Sequence, residues 1–542
     1  MGTGNDTRYR SLWAWGWQDK FPDPAARAGL LPLVGAMVPS AAPAVRPLPP
    51  DEPAVSAPGI AMPPALAAFA SQASRDRALH TRGRAVPDLV AGFAGDFTGA
   101  PDLVARPRDA AEVHRVLEIA AANGWAVVPF GGGTSVVGGV DAALARGDRA
   151  AVISLDLGAL DGVREIDPVS RLARIGAGAL GPALEHELAA HGLTLRHYPQ
   201  SFEMSTLGGW LATRAGGHYA TGPTRIDELC HAVTLIAPSG TLATHRHPGS
   251  GAGPEPARLV LGSEGALGVI TEAWMRVVPR PRWRATASVA FRAFADGVAA
   301  ARALAQSGLS PSNARLLDPT EARLHRVRFD GTSVLLIGFE SADHPLGPWL
   351  ARAVELAREH GGEIVSGPTE KDDAARGPRV GGAADAWRQA FFDAPYLQSA
   401  LLSVGVMSDT FETACSWTQF PALHAHVVAT VQRALDETCG GGVVACRFTH
   451  VYPDGPAPYY TFIGGVRPGA ELATWRALKA AASEAVVAAG GTITHHHAVG
   501  RTHRPWYERE RPPLFGAALA AVKHALDPAG ILNPGVLVDD RR

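Results

Sequence analysis

The chain has 542 residues, 46% of them hydrophobic, and a formal net charge of −2. This length predicts several domains, and a near-neutral chain without a basic stripe argues against nucleic-acid binding. The 4 cysteines are scattered and lack CxxC spacing, which argues against a disulfide scaffold or a zinc site and favours a reducing, cytoplasmic location. The opening segment, MGTGNDTRYRSLW, has no apolar core, so we expect no signal peptide, and no apolar run is long enough to predict a membrane span.

Residues 1–95 are predicted to form an N-terminal arm and a helical region. The arm carries Trp13, Trp15 and Trp17, which should pack back onto the body because exposed indole rings are costly. Residues 29–50 are apolar but repeatedly broken by proline, so we expect an extended arm lying on a surface. Contact with a membrane or a partner protein is the alternative for this stretch.

A helix and a strand lead into the first notable motif. Asp109 is a good N-cap residue, Glu112 stands three residues later as in a capping box, and Gly124 ends the helix. The strand 126–130 then runs into three consecutive glycines, followed by Thr134 and Ser135. Such a loop can bring free N–H groups against an anion, as a diphosphate requires. A flexible surface turn remains the alternative when this motif is considered alone.

Two further stretches are rich in glycine, serine and threonine. They are YPQSFEMSTLGGWLATRAGGHYATGPTRID at 198–227 and GSEGALGVIT at 262–271. Small residues of this kind suit a backbone that closely lines a flat polar ligand. The elements between them are short strands and helices, and a Rossmann fingerprint is not convincingly present, so we predict an α+β unit over 96–285.

The pattern changes near residue 285. Strands alternate with amphipathic helices over 286–490, which predicts a second α+β domain that caps the first. Residues 366–383 are predicted to be a polar, glycine-rich loop. The final segment, 491–542, contains TITHHHAVG and LDPAGILNPG and is expected to complete the active site.

The ordered glycine stretches and the LDPAGILNPG ending resemble the vanillyl-alcohol-oxidase-like FAD flavoproteins over residues 100–535. The segments PFGGGTS, SFEMSTLGGWLATRAGG, ARLLD, TFETACSW and HHHAVG are most similar to the alkyldihydroxyacetonephosphate synthase branch of that family. The resemblance implies a two-part FAD-binding domain of the PCMH type, a cap domain and a C-terminal segment that returns to the flavin. It also implies a homodimer.

The resemblance also implies which residues hold FAD. No histidine or cysteine lies in the first glycine loop, where some relatives attach flavin, so we predict non-covalent FAD. The expected cofactor residues are Pro129, Phe130, Gly131, Gly132, Gly133, Thr134, Ser135, Gln200, Ser201, Phe202, Glu203, Met204, Ser205, Thr206, Thr213, Arg214, Ala215, Gly216, Glu264, Gly265, Ala266, Leu267, Gly268, Val269 and Ile270.

The reaction implied by this branch has no net redox change. A base removes a proton α to the carbonyl of acyl-dihydroxyacetone phosphate, the fatty acid leaves and a fatty alcohol adds. Tyr459 corresponds to the acid/base tyrosine of the branch, although the adjacent Tyr460 makes the assignment ambiguous, and a core tyrosine is the alternative. The expected catalytic set is Tyr459, Arg315, His495, His496 and His497, and a structural ion pair is the alternative for Arg315. Histidines ordinarily titrate near neutrality.

One position departs from this branch. Where the branch has a substrate-contacting arginine after a tryptophan, this chain has Gln419, which cannot pair with a phosphate as a guanidinium does. Arg447 or Arg501 could replace that arginine, or the substrate is not this phosphate ester.

Two other functions therefore stay open. One is an FAD-dependent dehydrogenase or oxidase of a small 2-hydroxy acid, with His497 as base, and the other is a flavoprotein without turnover. A metal at the three histidines is a further alternative. Neighbours in a strand alternate sides, so one site would use at most two of them, and no metal is predicted.

Overall fold

The computed structural model describes residues 9–38, 43–219, 221, 225–372 and 383–538, and within them all side chains except those of residues 33, 37 and 383–390. Residues 1–8 and 39–42 of the predicted arm lie outside the described residues. So do residues 220 and 222–224 of the stretch 198–227, and residues 373–382 of the loop predicted over 366–383.

The strands are numbered in chain order. They are β1 (Ala70–Ser71), β2 (Leu103–Ala105), β3 (Ala126–Phe130), β4 (Val152–Asp156), β5 (Val163–Asp167), β6 (Leu172–Gly176), β7 (Leu193–Thr194), β8 (Cys230–Ala237), β9 (Gly240–Ala243), β10 (Val269–Arg276), β11 (Val278–Pro279), β12 (Trp283–Phe291), β13 (Asn313–Leu317), β14 (Ser333–Ser341), β15 (Glu363–Asp372), β16 (Val406–Glu412), β17 (Gly442–Val451) and β18 (Pro456–Gly465).

The helices follow the same numbering, with one 3₁₀ turn at Gln18–Lys20. They are α1 (Pro24–Ala28), α2 (Leu31–Met37), α3 (Ser74–Leu79), α4 (Val86–Phe93), α5 (Ala110–Asn123), α6 (Ala142–Arg146), α7 (Gly181–Ala189), α8 (Leu207–Thr213), α9 (Ile226–Leu229), α10 (Pro256–Val260), α11 (Phe294–Gln306), α12 (Pro319–Leu324), α13 (Gly347–Glu359), α14 (Ala383–Leu402), α15 (Phe420–Cys439), α16 (Glu471–Ala488), α17 (Arg504–Glu510) and α18 (Pro513–Leu526).

The first domain contains two main sheets. One has the order β1-β2-β4-β3, with β4 parallel to both β2 and β3, and the other has the antiparallel order β5-β6-β10-β8-β9. Helix α5 begins and ends as predicted, because the Asp109 carboxylate accepts the Glu112 N–H at 2.9 Å and Gly124 takes the left-handed conformation. The apolar face of α5 packs on β3 and β4. The glycine loop therefore begins at the end of a strand that is held firmly in the core.

The C-terminal segment returns to that edge, as the sequence predicts. The Val127 N–H donates to the Ile531 carbonyl at 2.8 Å, and the Asn533 N–H donates to the Val127 carbonyl at 2.8 Å. A buried ion pair between Lys523 and Asp527, at 2.7 Å, holds the preceding turn. The chain end therefore lies directly beside the glycine loop.

The cap domain is built on one seven-stranded antiparallel sheet in the order β15-β12-β14-β13-β17-β18-β16. Helices α11, α13, α15 and α16 cover one face with apolar side chains. The opposite face of β13, β17, β18 and β16 carries the more polar side chains and faces the first domain.

Two local predictions were wrong. Residues 366–372 of the predicted loop over 366–383 belong to strand β15, because a polar strand at the edge of a sheet can pair with β12 and still face solvent. The arm at residues 29–50 contains helix α2, and Pro32 is tolerated there because it occupies the first turn. Trp13 and Trp15 pack into the body as predicted, with only 3% and 7% of their surfaces exposed. No helix among the described residues is long and apolar enough to span a bilayer.

Candidate active site

The glycine loop that follows β3 is packed too closely for any side chain. A Cβ on Gly132 would lie 1.9 Å from the Met204 carbonyl oxygen, and one on Gly131 would lie 2.3 Å from the Thr206 hydroxyl. Within the described part of the chain, the amide N–H groups of residues 131–135 donate to no acceptor. Five adjacent donors without partners form the concave anion site that a diphosphate fits.

The other two glycine-rich stretches meet this loop. Thr206 caps α8 by accepting the Gly209 N–H at 3.3 Å. The Glu264 carboxylate accepts the N–H groups of Val499 and Gly500 at 2.9 and 2.7 Å, which ties the third stretch to the segment after the histidines. Burial raises the pKa of Glu264 to about 7, although these two amides oppose the shift.

A cavity of about 1100 Å³ lies between the glycine-rich stretches and the cap sheet. The predicted cofactor residues that line it are Pro129, Phe130, Gly131, Gly132, Gly133, Thr134, Ser135, Gln200, Ser201, Ser205, Thr206, Thr213, Ala215, Gly216, Glu264, Gly265, Gly268 and Ile270. The other predicted cofactor residues support this wall from behind. Arg214 forms an ion pair with Asp227 at 2.9 Å, and Glu203 accepts hydrogen bonds from Trp17, Lys20 and Tyr396.

The cap contributes side chains from alternate positions of its strands. Arg447 and Thr449 on β17, and Tyr459, Thr461 and Ile463 on β18, line the cavity. Tyr460 points to the other face, where it is fully buried and stacks on Phe411 at 4.9 Å between ring centroids. The period of two in a strand therefore places Tyr459, and not its neighbour, at the site.

Tyr459 is held as a neutral phenol. Its hydroxyl donates to the Thr410 hydroxyl at 2.9 Å, and the Arg447 guanidinium lies over its ring, 4.0 Å from the centroid. Burial raises the pKa of Tyr459 to about 12, and Arg447 opposes part of that shift. The resting side chain can therefore donate a proton at neutral pH.

The three histidines do not lie in a strand but in an irregular turn fixed by one carboxylate. The buried carboxylate of Glu412, at the end of β16, accepts the backbone N–H groups of His495, His496 and His497 at 2.7 to 3.1 Å. Although burial opposes ionisation, these histidines hold the pKa of Glu412 well below its ordinary value. The assumption that these residues form a strand was wrong. The cluster of ring nitrogens found here contains two of the three, His495 and His496, together with His450, in keeping with the expectation that one site would use at most two.

The histidines differ in position and protonation. His496 and His497 line the cavity, whereas His495 lies behind them. Burial lowers the pKa of His495 to about 3 and that of His497 well below its ordinary value. Both side chains are therefore neutral at physiological pH.

Sequence reasoning missed three neighbours of the histidines. His450 on β17 lines the cavity, is fully buried, and has neither ring nitrogen hydrogen-bonded in the described structure. Tyr452 and Arg225 both contact His495 Nε2, at 2.7 and 3.0 Å. Ring nitrogens of His450, His495 and His496 lie within 4.8 Å of one another, close enough to hold a metal ion. The strand period could not have indicated His450, because a register shift between Phe448 and His450 brings it to the cavity beside Thr449. Nothing local marks Arg225.

Two buried arginines flank the phenol side of the cavity. Arg315 lines it and donates to the His218 carbonyl at 2.9 Å, and Arg447 contacts Glu321 in a buried ion pair. Burial would raise the pKa of Glu321, but Arg447 and His325 lower it to about 2. Burial, with Arg447 nearby, lowers the pKa of Arg315 to about 9.

The other two predicted substrate residues lie outside the cavity lining. Arg501 donates to the carbonyls of Gly138 and Pro534 and to the Asn533 side chain, so it joins the glycine loop to the C-terminal segment. Gln419 precedes α15 and accepts the Ser416 N–H at 3.1 Å on the surface. Arg447 is therefore the cation of this set that reaches the site.

The fold and this wall of donors define the chain as an FAD-dependent enzyme. Residues 101–245 match the FAD binding domain model, and residues 280–537 match the C-terminal domain of FAD linked oxidases. The acceptor-free amides of residues 131–135 fit the diphosphate of that cofactor.

The chain belongs to the flavoprotein family that includes the alkyldihydroxyacetonephosphate synthases. It is 30% identical over 489 residues to the alkyldihydroxyacetonephosphate synthase of Dictyostelium discoideum, covering 85% of this chain and 77% of that protein. It is also 30% identical over 489 residues to the enzyme of that name from Caenorhabditis elegans, covering 86% and 81%. A solved structure of an alkyldihydroxyacetonephosphate synthase shares the fold, with a TM-score of 0.78 at 24% identity, covering 97% of this chain and 98% of that one.

Proposed function

We propose that this enzyme exchanges the acyl group of acyl-dihydroxyacetone phosphate for a fatty alcohol, as the names of its relatives suggest. The bond between C1 and the acyl carboxylate breaks, the fatty acid leaves, and the alcohol oxygen forms the new bond to C1. The alcohol's proton leaves with the fatty acid, so there is no net oxidation. FAD, when bound non-covalently, supplies an electron-poor ring beside the substrate.

The apolar half of the cavity carries this proposal. Beyond the polar wall, the lining includes a group of aliphatic side chains from α2 and its two flanking residues, from α14 and from the cap sheet: Leu30, Val34, Val38, Leu397, Leu401, Val406 and Ile463. Several of these form one buried cluster. A small 2-hydroxy acid has no alkyl chain to bury against this surface. Burying an acyl or alkyl chain there stabilises the complex by about 0.8 kcal/mol per methylene.

Two guanidinium groups support a phosphate at the other end. Arg315 and Arg447 both line the cavity wall, and Arg447 also forms the buried ion pair with Glu321. A guanidinium group can pair with a phosphate through two parallel hydrogen bonds. We propose that Arg447 and Arg315 bind the phosphate. They would take over the function of the substrate-contacting arginine that stands at the position of Gln419 in the related synthases.

Tyr459 and the histidines are assigned to proton handling. His497 is neutral and lines the cavity, so its imidazole can accept the proton α to the carbonyl. Tyr459 is protonated and can donate to the departing carboxylate. Homodimerisation and peripheral membrane contact stay predictions.

The test is an anaerobic incubation of the purified yellow protein with acyl-dihydroxyacetone phosphate and labelled hexadecanol. We expect label in an ether-linked product, release of free fatty acid and an unchanged flavin spectrum. Absence of ether product, together with flavin bleaching by D-lactate, glycolate or a longer 2-hydroxy acid, would replace the proposal with a dehydrogenase function.

A further inference from the structure

The hydrogen bonds around the histidine turn have a direction, and one residue sets it. Arg225, just before α9, places its Nη1 3.0 Å from His495 Nε2. A guanidinium group can only donate, and it stays charged at any physiological pH. His495 Nε2 must therefore carry a lone pair rather than a hydrogen.

The Tyr452 hydroxyl does not reverse this conclusion. It lies 2.7 Å from the same nitrogen of His495 and could either donate or accept there. Because Arg225 can only donate to that nitrogen, Tyr452 is also restricted to donating. Asp227 holds the guanidinium in place, with its Oδ1 3.3 Å from Arg225 Nε.

The position of the hydrogen on His495 determines the position of the hydrogen on His496. A neutral imidazole without hydrogen on Nε2 carries it on Nδ1, and burial keeps His495 neutral because it lowers the pKa to about 3. His495 Nδ1 lies 2.9 Å from His496 Nδ1, so His495 donates and His496 accepts. The hydrogen of a neutral His496 then lies on Nε2, the ring nitrogen turned away from His495.

A competing arrangement lies close by. Glu412 Oε2 is 3.3 Å from His496 Nδ1 and would favour a hydrogen on that nitrogen. The chain would then run in the opposite direction, from His496 through His495 to Tyr452, and His496 would present a lone pair at Nε2. The two directions differ in whether His496 meets the cavity as a donor or as an acceptor.

We infer that Arg225 is a positioning residue that sets the tautomers of His495 and His496, so that His496 presents its Nε2–H to the substrate as a hydrogen-bond donor. The ligand group recognised would be an oxyanion or carbonyl oxygen. The catalytic meaning of this donor rests on the proposed function, whereas the tautomer assignment does not.

A metal ion would exclude this arrangement. Three histidines with ring nitrogens within 4.8 Å of one another resemble a ligand set, but His495 Nε2 already accepts a hydrogen bond from a cation. A divalent ion beside Arg225 would meet like charge, and it would need the nitrogens that the hydrogen-bond chain uses.

The test is nuclear magnetic resonance of the FAD-loaded protein labelled with ¹⁵N in its histidine rings, read through two-bond ¹H–¹⁵N correlations. The His496 signals are assigned by their loss in H496N. We expect His496 as the Nε2–H tautomer in the wild type, and a shift toward Nδ1–H in R225M. R225K, which can still only donate, should keep the wild-type pattern.

R258M is the matched control, because Arg258 also pairs with Asp227, at 3.0 Å, but belongs to the exposed end of that cluster. It should leave the His496 tautomer unchanged. If the transferase assay succeeds, R225M should lower kcat about 10-fold or more with little change in KM, and R225K should recover part of the loss.

Several results would overturn the inference. They are a wild-type His496 with hydrogen on Nδ1 or on both nitrogens, an R225M spectrum identical to wild type, or stoichiometric zinc retained after dialysis against Zn²⁺. The wild-type spectrum decides the assignment even if R225M fails to fold. Because the tautomer is read without turnover, failure of the proposed reaction and failure of this inference give different results.

Discussion

The two walls of the cavity recognise their ligands by opposite means. The wall from the first domain presents backbone amides and small residues packed without room for a Cβ, as at Gly132. The cap wall presents long, buried, titratable side chains such as Tyr459 and Arg447, fixed by ion pairs and hydrogen bonds. Backbone recognition tolerates no added volume, whereas side-chain recognition tolerates volume but depends on charge and protonation.

The largest effect should follow from adding volume to the backbone wall. In Gly132→Val the Cβ would lie 1.9 Å from a carbonyl oxygen that cannot move without the whole second stretch. We expect purified protein without bound flavin, measured by its visible absorbance. Gly251→Val, at a position with no neighbour within 4 Å, is the control and should retain flavin. If G132V is purified with bound flavin, the wall of the first domain tolerates added volume, contrary to the comparison above.

On the cap wall, Tyr459→Phe keeps the shape and removes the proton. General acid–base groups contribute about 100- to 10,000-fold, so kcat should fall by that factor while flavin binding is unchanged. Tyr460→Phe, on the opposite face of the same strand, should stay near wild type in kcat. Equal losses in both variants would mean that the strand face does not assign the catalytic tyrosine.

Removing one member of the buried pair should test charge dependence. In Arg447→Met the Glu321 carboxylate is left without its guanidinium in a buried site, so the free energy of unfolding should drop by about 3–5 kcal/mol. Chemical denaturation measures this. The double variant R447M/E321Q should lose less than R447M alone, and a loss equal to the sum of the single variants would argue that the two charges are independent.

A titratable group in the backbone wall sharpens the contrast. The pKa of Glu264 is about 7 in the folded protein and ordinarily about 4.5, so the folded state binds the extra proton. Its stabilising contribution is complete below pH 4.5 and is lost as pH rises through about 7. Glu264→Gln should therefore gain stability relative to wild type as pH rises from 5 to above 8, by up to about 3 kcal/mol. Thermal unfolding across this range checks it, and a constant difference would contradict it.

The smallest effect is expected at Gln419. It lies outside the cavity and its side chain bonds to Ser416 on the surface, so Gln419→Ala should change kcat/KM by less than about twofold and stability by about 0.5 kcal/mol or less. A tenfold loss in kcat/KM would contradict this and would show that Gln419 contributes to substrate binding.

The sequence by itself determined the elements whose cause is local. The capping pair at Asp109 and Glu112 defined α5, and the glycine loop after β3 could be predicted as a phosphate cradle because conformational freedom and missing side chains are visible in sequence. The family followed from the order of such motifs, and with it FAD and the returning C-terminal segment.

Only the tertiary structure decided which side chains meet. It placed Tyr459 rather than Tyr460 at the cavity, brought Arg447 there and left Arg501 as a structural link. Glu412 and Arg225 lie 83 and 270 residues from His495, and no local pattern marks them as its neighbours. A backbone binding site is formed by residues adjacent in the sequence, so a local motif can predict it. The charge and tautomer of a buried side chain depend instead on distant residues that only folding brings into contact with it.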